Sequence, residues 1–373
     1  MLKEAILREV PNLKYFDYNR EFKLESGESL PQFKLAYETY GKLNSEKSNA
    51  IIIFHALSGS SHVYRDNTEI SGWWDEMVGP KKPFNTSKYY IICANILGSC
   101  YGSTGPSSIN PVDGQPYALR FPLITVHDIV RSIKLLIDYL GVKKILAVTG
   151  ASLGGFQALD WAISYPDITY SVIPMATAAY ATTFNIAFNE VQRQAIYSDP
   201  EWKNGNYYDS TPPNAGLKVA RQIGHITYLS EDSMREKFGR NLQHNPELLF
   251  KFTEEFQVES YLEYKGKSFT KRFDANSYLY ITKAIDYFDI RKNGSLAPAF
   301  SILKNNKFLV ISFTSDWLYP TSQSKEIVFA LKSNDIEVSF VEIDMNYGHD
   351  SFLVECKDLR EIVHNFLNNL EKN

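Results

Sequence analysis

The chain is short of cysteine, of charge of one sign and of long apolar runs, and each shortage removes a class of protein. Cys93, Cys100 and Cys356 are its only cysteines. An odd number without paired spacing gives no disulfide framework and suits a reducing compartment, so a cytoplasmic location is expected. There is no CxxC and no HExxH, which leaves a metal site without a motif. The formal net charge of −4 offers no overall basic field for nucleic acid. No stretch approaches the ~18 apolar residues that a membrane span needs. The first residues, Met1 to Glu9, are charged within their first turns and lack the apolar core of a secretory signal. Internal repeats and low-complexity tracts are missing as well. With 44% hydrophobic and 22% charged residues, the sequence suits a soluble globular protein with one large core or two small ones.

What is present is a series of short apolar runs. Residues 20–42 alternate and predict antiparallel strands at a sheet edge, Phe33–Tyr37 among them. Asn49–His55, Tyr89–Asn95 and Lys144–Thr149 read as buried strands, followed by Ser171–Met175, Lys307–Phe313 and Glu337–Ile343. Thr125 with Asp128 predicts a capped helix with Val126, Ile129, Val130, Ile133, Leu136, Ile137 and Leu140 on its apolar face, closed by Gly141. The final helix turns Leu359, Ile362, Val363, Phe366 and Leu370 to one side. Helix, strand and helix after two apolar strands predict an α/β fold, a mostly parallel sheet with helices on both faces. From about Thr177 to Pro298 the buried strands stop. Helix-like patches at 185–198, 215–227, 233–238 and 275–286 make this segment a helical insertion. The long Gly-, Ser- and Pro-rich stretch Leu97–Pro111 is expected to be a functional loop; no Gly-Lys-Ser/Thr follows it, so a phosphate-binding P-loop is discounted.

The chemistry centres on Gly150-x-Ser152-x-Gly154, which lies between the strand ending at Thr149 and a helix stopped by Tyr165-Pro166. A sharp strand-to-helix turn there would lift the Ser152 hydroxyl above the sheet and aim the Leu153 N–H at the same space. The loop after the Asn49–His55 strand could supply a second donor, the Leu57 N–H, because open α/β sheets place ligands at the carboxyl ends of strands. An activated serine needs a base, and the base needs an orienting acid. Of seven histidines, His349 stands directly after the last strand, in Met345-Asn346-Tyr347-Gly348-His349-Asp350. His55 reads as a core residue, His127 and His364 as surface or packing residues, His62 and His244 lie in loops without a strong context, and His225 lies inside the helical insertion. Asp316 follows the strand that ends at Phe313. The order Ser152, Asp316, His349 is that of a triad built on an α/β-hydrolase sheet.

Several stretches resemble the homoserine O-acetyltransferases: Leu35–Gly41, His55–Gly59, Gly72–Asp75, Leu97–Pro111, Gly224–Ser230, Arg272–Tyr278 and Gly348–Asp350. The resemblance runs through the insertion, the part that separates this family from other α/β-hydrolases. It implies an α/β-hydrolase core over 1–176 and 299–373, with a helical lid over 177–298 that mediates a homodimer. It implies Ser152 as nucleophile, Asp316 as acid and His349 as base, with Arg221 and Asp350 binding the substrate. A carboxylate would pair with Arg221 and an ammonium with Asp350; without the resemblance, Arg221 is an ordinary solvated helix residue. It also implies transfer of an acetyl group from acetyl-CoA, as co-substrate, to L-homoserine in methionine biosynthesis, by way of an acyl-serine and with no cofactor. The family commonly carries Gly-Gly-Ser-Met-Gly-Gly at the turn, where this chain has Gly150-Ala151-Ser152-Leu153-Gly154-Gly155. Succinyl-CoA as donor, L-serine as acceptor, a plain serine esterase and a non-catalytic binding protein on the same fold stay open at this point.

Overall fold

The apolar runs become strands of one eight-stranded sheet in the computed structural model, which describes residues 12–66 and 69–370. The charged stretch Met1–Glu9 lies outside the described residues. The strands are β1 (Lys14–Tyr18), β4 (Phe33–Tyr40), β5 (Ala50–Phe54), β6 (Tyr90–Ala94), β7 (Ile145–Ala151), β8 (Thr169–Met175), β9 (Lys307–Phe313) and β10 (Val338–Ile343). They lie in the order β1-β4-β6-β5-β7-β8-β9-β10. From β6 to β10 all pairs are parallel, whereas β4 runs antiparallel to both β1 and β6. The expected antiparallel edge is therefore present, but part of it is not in this sheet. Residues 22–30 form a separate ribbon of β2 (Phe22–Lys23) and β3 (Ser29–Leu30).

Alternation along the central strands sends side chains to two cores. Ala50, Ile52 and Phe54 face one and Ile51 and Ile53 the other; Phe308 and Val310 likewise oppose Leu309, Ile311 and Phe313. Helices α1 (Val126–Tyr139), α2 (Leu153–Ser164) and, past the insertion, Thr321–Lys332 cover the first face. The C-terminal helix Lys357–Leu370 covers the second through Leu359, Val363, Leu367 and Leu370. The α1 start is the expected capping box: Asp128 N donates to Thr125 Oγ1 and Thr125 N to an Asp128 carboxylate oxygen, each at 3.1 Å.

Between β8 and β9 the chain builds α3 (Thr183–Tyr197), α4 (Asn214–Tyr228), α5 (Glu231–Phe238), α6 (Gln257–Thr270), α7 (Ala275–Asp286) and a single turn, α8 (Ala297–Phe300). The remaining two helices are thus α9 (Thr321–Lys332) and α10 (Lys357–Leu370). Four of these elements have no counterpart in the sequence-based expectations: β1, α6, the single turn α8, and α9. In α6 the reason is physical. Only Gly266 and Phe269 are buried in it, so it shows little apolar stripe. A Cβ at Gly266 would sit 2.5 Å from Lys218 Cγ, so α6 joins α4 by close approach rather than by a row of large side chains.

Every parallel strand delivers its carboxyl end to the same edge, and the turn after β7 is the tightest point there. A Cβ on Gly154 would lie 2.2 Å from the Phe54 carbonyl oxygen at the end of β5, and one on Gly150 2.4 Å from Gly154 itself. Backbone, not a flexible side chain, blocks both positions. Gly154→Ala is therefore expected to lower the unfolding free energy by about 3 kcal/mol, the upper range for overpacking, as measured by denaturant titration; an alanine tolerated within 0.5 kcal/mol would contradict this packing.

Candidate active site

Ser152 sits at the junction of β7 and α2 with φ 58° and ψ −125°. Positive φ is costly for a residue with a Cβ, of order 1–3 kcal/mol, and persists only when the surroundings over-determine it. Here the Ser152 N–H is shared between the Met175 and Ala176 carbonyls, both at 3.2 Å, and the Ser152 carbonyl accepts from Thr177 Oγ1 at 2.8 Å and from the Gly155 N–H at 2.9 Å. Gly155 is part of the same constraint, since a Cβ there would meet the Thr177 side chain at 2.5 Å. The expected turn is formed, and Ser152 is half-buried above the sheet edge while Ala151 and Leu153 beside it are buried.

Asp316 and His349 come to that edge from the ends of β9 and β10. One Asp316 oxygen accepts the N–H groups of Leu318 (3.0 Å) and Tyr319 (2.9 Å). The other faces His349 Nδ1 at 2.8 Å. A carboxylate can only accept, so Nδ1 carries the proton and Nε2 is left for another partner. Both side chains are buried. Burial works against a charged His349 ring, but the charge and hydrogen bond of Asp316, with the charge of Asp350, together hold it above the usual histidine range. Tyr319 packs beside this pair, its ring 5.1 Å from that of His349.

Leu57 follows β5 in a loop that is tied down at every step. Gln157 Nε2 donates to the His55 carbonyl at 3.2 Å and Trp73 Nε1 to the Ser60 carbonyl at 2.8 Å. Ser61 N donates to Asn95 Oδ1 and Ser61 Oγ to Glu38 Oε1. His55 is the core residue expected of it: Nδ1 meets the Ala56 carbonyl at 2.7 Å, Nε2 accepts from Ile96 N, and burial pushes its pKa down to about 4. His62 is different. Its Nδ1 faces Glu38 Oε2 at 3.0 Å and its Nε2 the Ile70 carbonyl at 3.1 Å. Both partners only accept, so His62 is an imidazolium. Burial opposes that charge, but hydrogen bonds to Glu38 and the Ile70 carbonyl, with the charges of Glu38 and Asp75, raise its pKa.

Arg221, on α4, and Asp350, beside His349, reach the same region. Arg221 Nη1 donates to Ser58 Oγ at 3.2 Å, and its guanidinium lies over the Phe269 ring at 4.6 Å and the Tyr228 ring at 5.4 Å. Asp350 is half-buried. Desolvation raises its pKa against the pull of His349, Arg221 and Lys265. Among the described residues neither Arg221 nor Asp350 forms an ion pair, with each other or with anything else. A second arginine, Arg272, donates to the Ser58 carbonyl (3.1 Å) and to the Tyr101 hydroxyl (2.6 Å). The long loop 97–111 thus reaches the site through Tyr101. The stretch Tyr228–Ser230 lies across both C-terminal loops. Trp317 Nε1 donates to the Leu229 carbonyl at 2.9 Å, Ser230 Oγ donates to the Asn346 carbonyl, and a Cβ on Gly348 would strike Ser230 N at 2.5 Å.

All seven residues singled out from the sequence therefore converge on one end of the sheet. Arg272, Tyr319, Trp317 and the Glu38–His62 pair escaped notice. Arg272 stood in a stretch that carried the resemblance, but nothing local marked its side chain. Glu38 and His62 are far apart in the chain and become partners only when β4 and the loop after β5 are side by side.

A parallel sheet ending in a serine on a strained strand-to-helix turn, with an Asp–His pair on the next strand ends, defines an α/β hydrolase. The family model for the alpha/beta hydrolase fold matches residues 49–355. A homoserine O-acetyltransferase of Methanohalobium evestigatum is 57% identical over 358 residues, 95% of this chain and 73% of that one. The crystal structure of homoserine O-acetyltransferase from Bacillus anthracis superposes with a TM-score of 0.88 at 30% identity, covering 95% of this chain and 98% of that one. Esterase E22 superposes almost as well, with a TM-score of 0.87 at 29% identity over 95% and 99% of the two chains. The chain belongs to the homoserine O-acetyltransferase family.

The Glu38–His62 pair makes a pH-dependent contribution to stability. With the folded-state pKa of His62 raised, that contribution is full below the unfolded value of about 6.5 and is lost as pH rises through the folded value. The gap in unfolding free energy between the native protein and His62→Gln is expected to narrow on going from about pH 6 to about pH 9. A gap that stays constant or widens would show that His62 is not the charged partner.

Proposed function

We propose that the protein transfers an acetyl group from acetyl-CoA to the side-chain hydroxyl of L-homoserine, a step of methionine biosynthesis, through an acyl-Ser152 intermediate and without a further cofactor. The observation that carries this is the couple of opposite, unpaired charges beside the serine. An amino acid has a carboxylate for Arg221 to grip with two parallel hydrogen bonds and an ammonium for Asp350 to accept. Held at both ends, it would turn its hydroxyl toward the acyl carbon.

Ser152 acts as nucleophile, His349 as general base and Asp316 as the acid that fixes the imidazole. His349 Nε2 takes the proton from Ser152 Oγ as the oxygen attacks the thioester carbonyl. The Leu57 and Leu153 N–H groups receive the oxyanion, a contribution of about 3 kcal/mol per donor. The carbon–sulfur bond breaks and His349 returns the proton to the departing thiolate. In the second half His349 takes the proton of the homoserine hydroxyl, whose oxygen attacks the acyl-serine, and Ser152 Oγ leaves with that proton. Water entering in place of homoserine would give hydrolysis, so transfer needs a site that excludes it. We assign that task to residues 177–298 as a lid over the core of 1–176 and 299–373; the contacts of Tyr228–Ser230 with both C-terminal loops support it. Val191 of α3 is 54% exposed and Phe184 48%, and Val219 and Ile226 of α4 are 41% and 44% exposed. These apolar side chains support a homodimer through the lid, with a second copy covering them. Three free cysteines fit a cytoplasmic setting, and no helix among the described residues is long and apolar enough to cross a membrane.

The likeness to esterase E22 supports one rival, an ester hydrolase on the same scaffold. Rapid mixing separates the two. Acetyl-CoA alone should release a burst of coenzyme A, absent in Ser152→Ala, followed by slow hydrolysis that homoserine accelerates. Arg221→Ala should keep the burst while homoserine-dependent turnover falls at least ~10-fold, since a charge-assisted hydrogen bond contributes about 1.5 kcal/mol or more. Lysine at 221 should restore part of it, because an ammonium lacks the planar fork. Turnover indifferent to homoserine would favour the hydrolase, and succinyl-CoA and L-serine run in parallel define donor and acceptor. A monomer in sedimentation at micromolar concentration with full activity would remove the dimer.

A further inference from the structure

Four cations gather on one side of this site: Arg221 of α4, Lys237 of α5, Lys265 of α6 and Arg272, just before α7. Among the described residues none of the four has a carboxylate within ion-pair distance. Their neighbours behave otherwise. Lys218 and Lys267, on the same helices as Arg221 and Lys265, both pair with Glu263, and Arg235 on α5 pairs with Asp232. Lys237 and Lys265 instead converge on a single ring. Their ammonium groups lie 4.8 Å and 5.6 Å from the centre of Tyr261. The Tyr261 hydroxyl is 3.4 Å from His225 Nδ1, the His225 ring is 5.7 Å from Tyr228, and Tyr228 is 6.1 Å from His349. A continuous row of rings therefore connects the two lysines to the base.

The cations are also graded in exposure. Arg221, Arg272 and Lys265 are half-buried and Lys237 is exposed, so the row of rings that starts at His349 ends beside a cation in solvent. Their mutual repulsion is felt locally. Burial, then Arg221, Lys265, Arg272 and Lys237, drive His225 down to a pKa of about 3, and burial with the same positive neighbours lowers Lys265. Asp350 is the single acid among the groups that act on Lys265. Like charges held together without counter-charge destabilise a fold unless an anion joins them. The acceptor's carboxylate would engage Arg221 alone and its ammonium would neutralise Asp350, which leaves a positive surplus farther out.

We propose that Lys265 and Lys237 form a subsite for the phosphate groups of the acyl-CoA donor. It rests on the acyl-thioester chemistry proposed above. With the thioester at Ser152, the pantetheine arm must lead outward past the lid, and the phosphates come at the outer end of that arm, where the two lysines stand. The aromatic surfaces of Tyr228 and Tyr261 would flank the arm. The carbon–sulfur chemistry is untouched by this subsite; it acts on donor capture.

The test compares acetyl-CoA with S-acetylpantetheine, which has the same thioester and arm but no phosphate. Lys237→Gln is expected to raise KM for acetyl-CoA about 2- to 5-fold, the range of an exposed ion pair. It should leave kcat and the KM for S-acetylpantetheine unchanged. Adding Lys265→Gln should enlarge the acetyl-CoA effect and flatten the fall of its kcat/KM with added salt, a dependence S-acetylpantetheine lacks in the native protein. Equal KM changes for both donors would overturn the subsite, as would an acetyl-CoA KM indifferent to both substitutions. Failure of the native protein to be acylated by either thioester would overturn the transferase function instead.

Discussion

The strained backbone of Ser152 is the constraint on which the rest depends. A β-carbon at positive φ stores energy that must be supplied by neighbours, and the neighbours here are mostly backbone: the Met175 and Ala176 carbonyls, the Phe54 carbonyl against Gly154, and the crossing of Gly150 and Gly154, with the Thr177 side chain added. These are the ends of β5, β7 and β8, central strands of the sheet. The parallel sheet is thus a clamp as well as a core. It holds one turn in a conformation no isolated peptide would keep, and the helix α2 that starts there points its first N–H groups at the serine's surroundings.

Around that clamp two sets of loops are held from different directions. The carboxyl ends of β9 and β10 bring Asp316 and His349, and the segment Tyr228–Ser230 of the insertion is laid across both. The loop after β5 is held from below by Glu38 and Asn95 and from above by Arg221 and Arg272. Trp74 adds a cross-link, with Nε1 donating to the Phe352 carbonyl, three residues past His349.

Much of this was legible in the sequence, because the sheet strands and their order of chemistry are written locally. Each central strand is a short apolar run, and each candidate residue except Arg221 follows one. The serine turn carries its own small residues, and the α1 capping box is visible as Thr125 and Asp128. What stayed hidden was written non-locally. Helix α6 has glycine where a stripe would be, because its contact with α4 is made by approach. Strand β1, Lys-Tyr-Phe-Asp-Tyr, has a single buried residue, Phe16, and is a strand only because β4 offers it an edge. The charge of His62 follows from two acceptors that the linear order keeps apart, and the importance of Arg272 follows from a loop, around Ser58, more than 200 positions earlier.

Ser58 receives Arg221 on its side chain and Arg272 on its carbonyl, next to Leu57, the residue we propose as an oxyanion donor. In the proposed reaction, acceptor recognition and the first steps of acyl chemistry therefore share one mechanical joint. In evolutionary terms the two are not separable modules. A shift of the backbone at Ser58 would loosen both arginines at once. The seats of Arg221 and Arg272 on one residue tie the positions of α4 and of the turn before α7 to the loop after β5, so a change in any one of the three must be answered in the others.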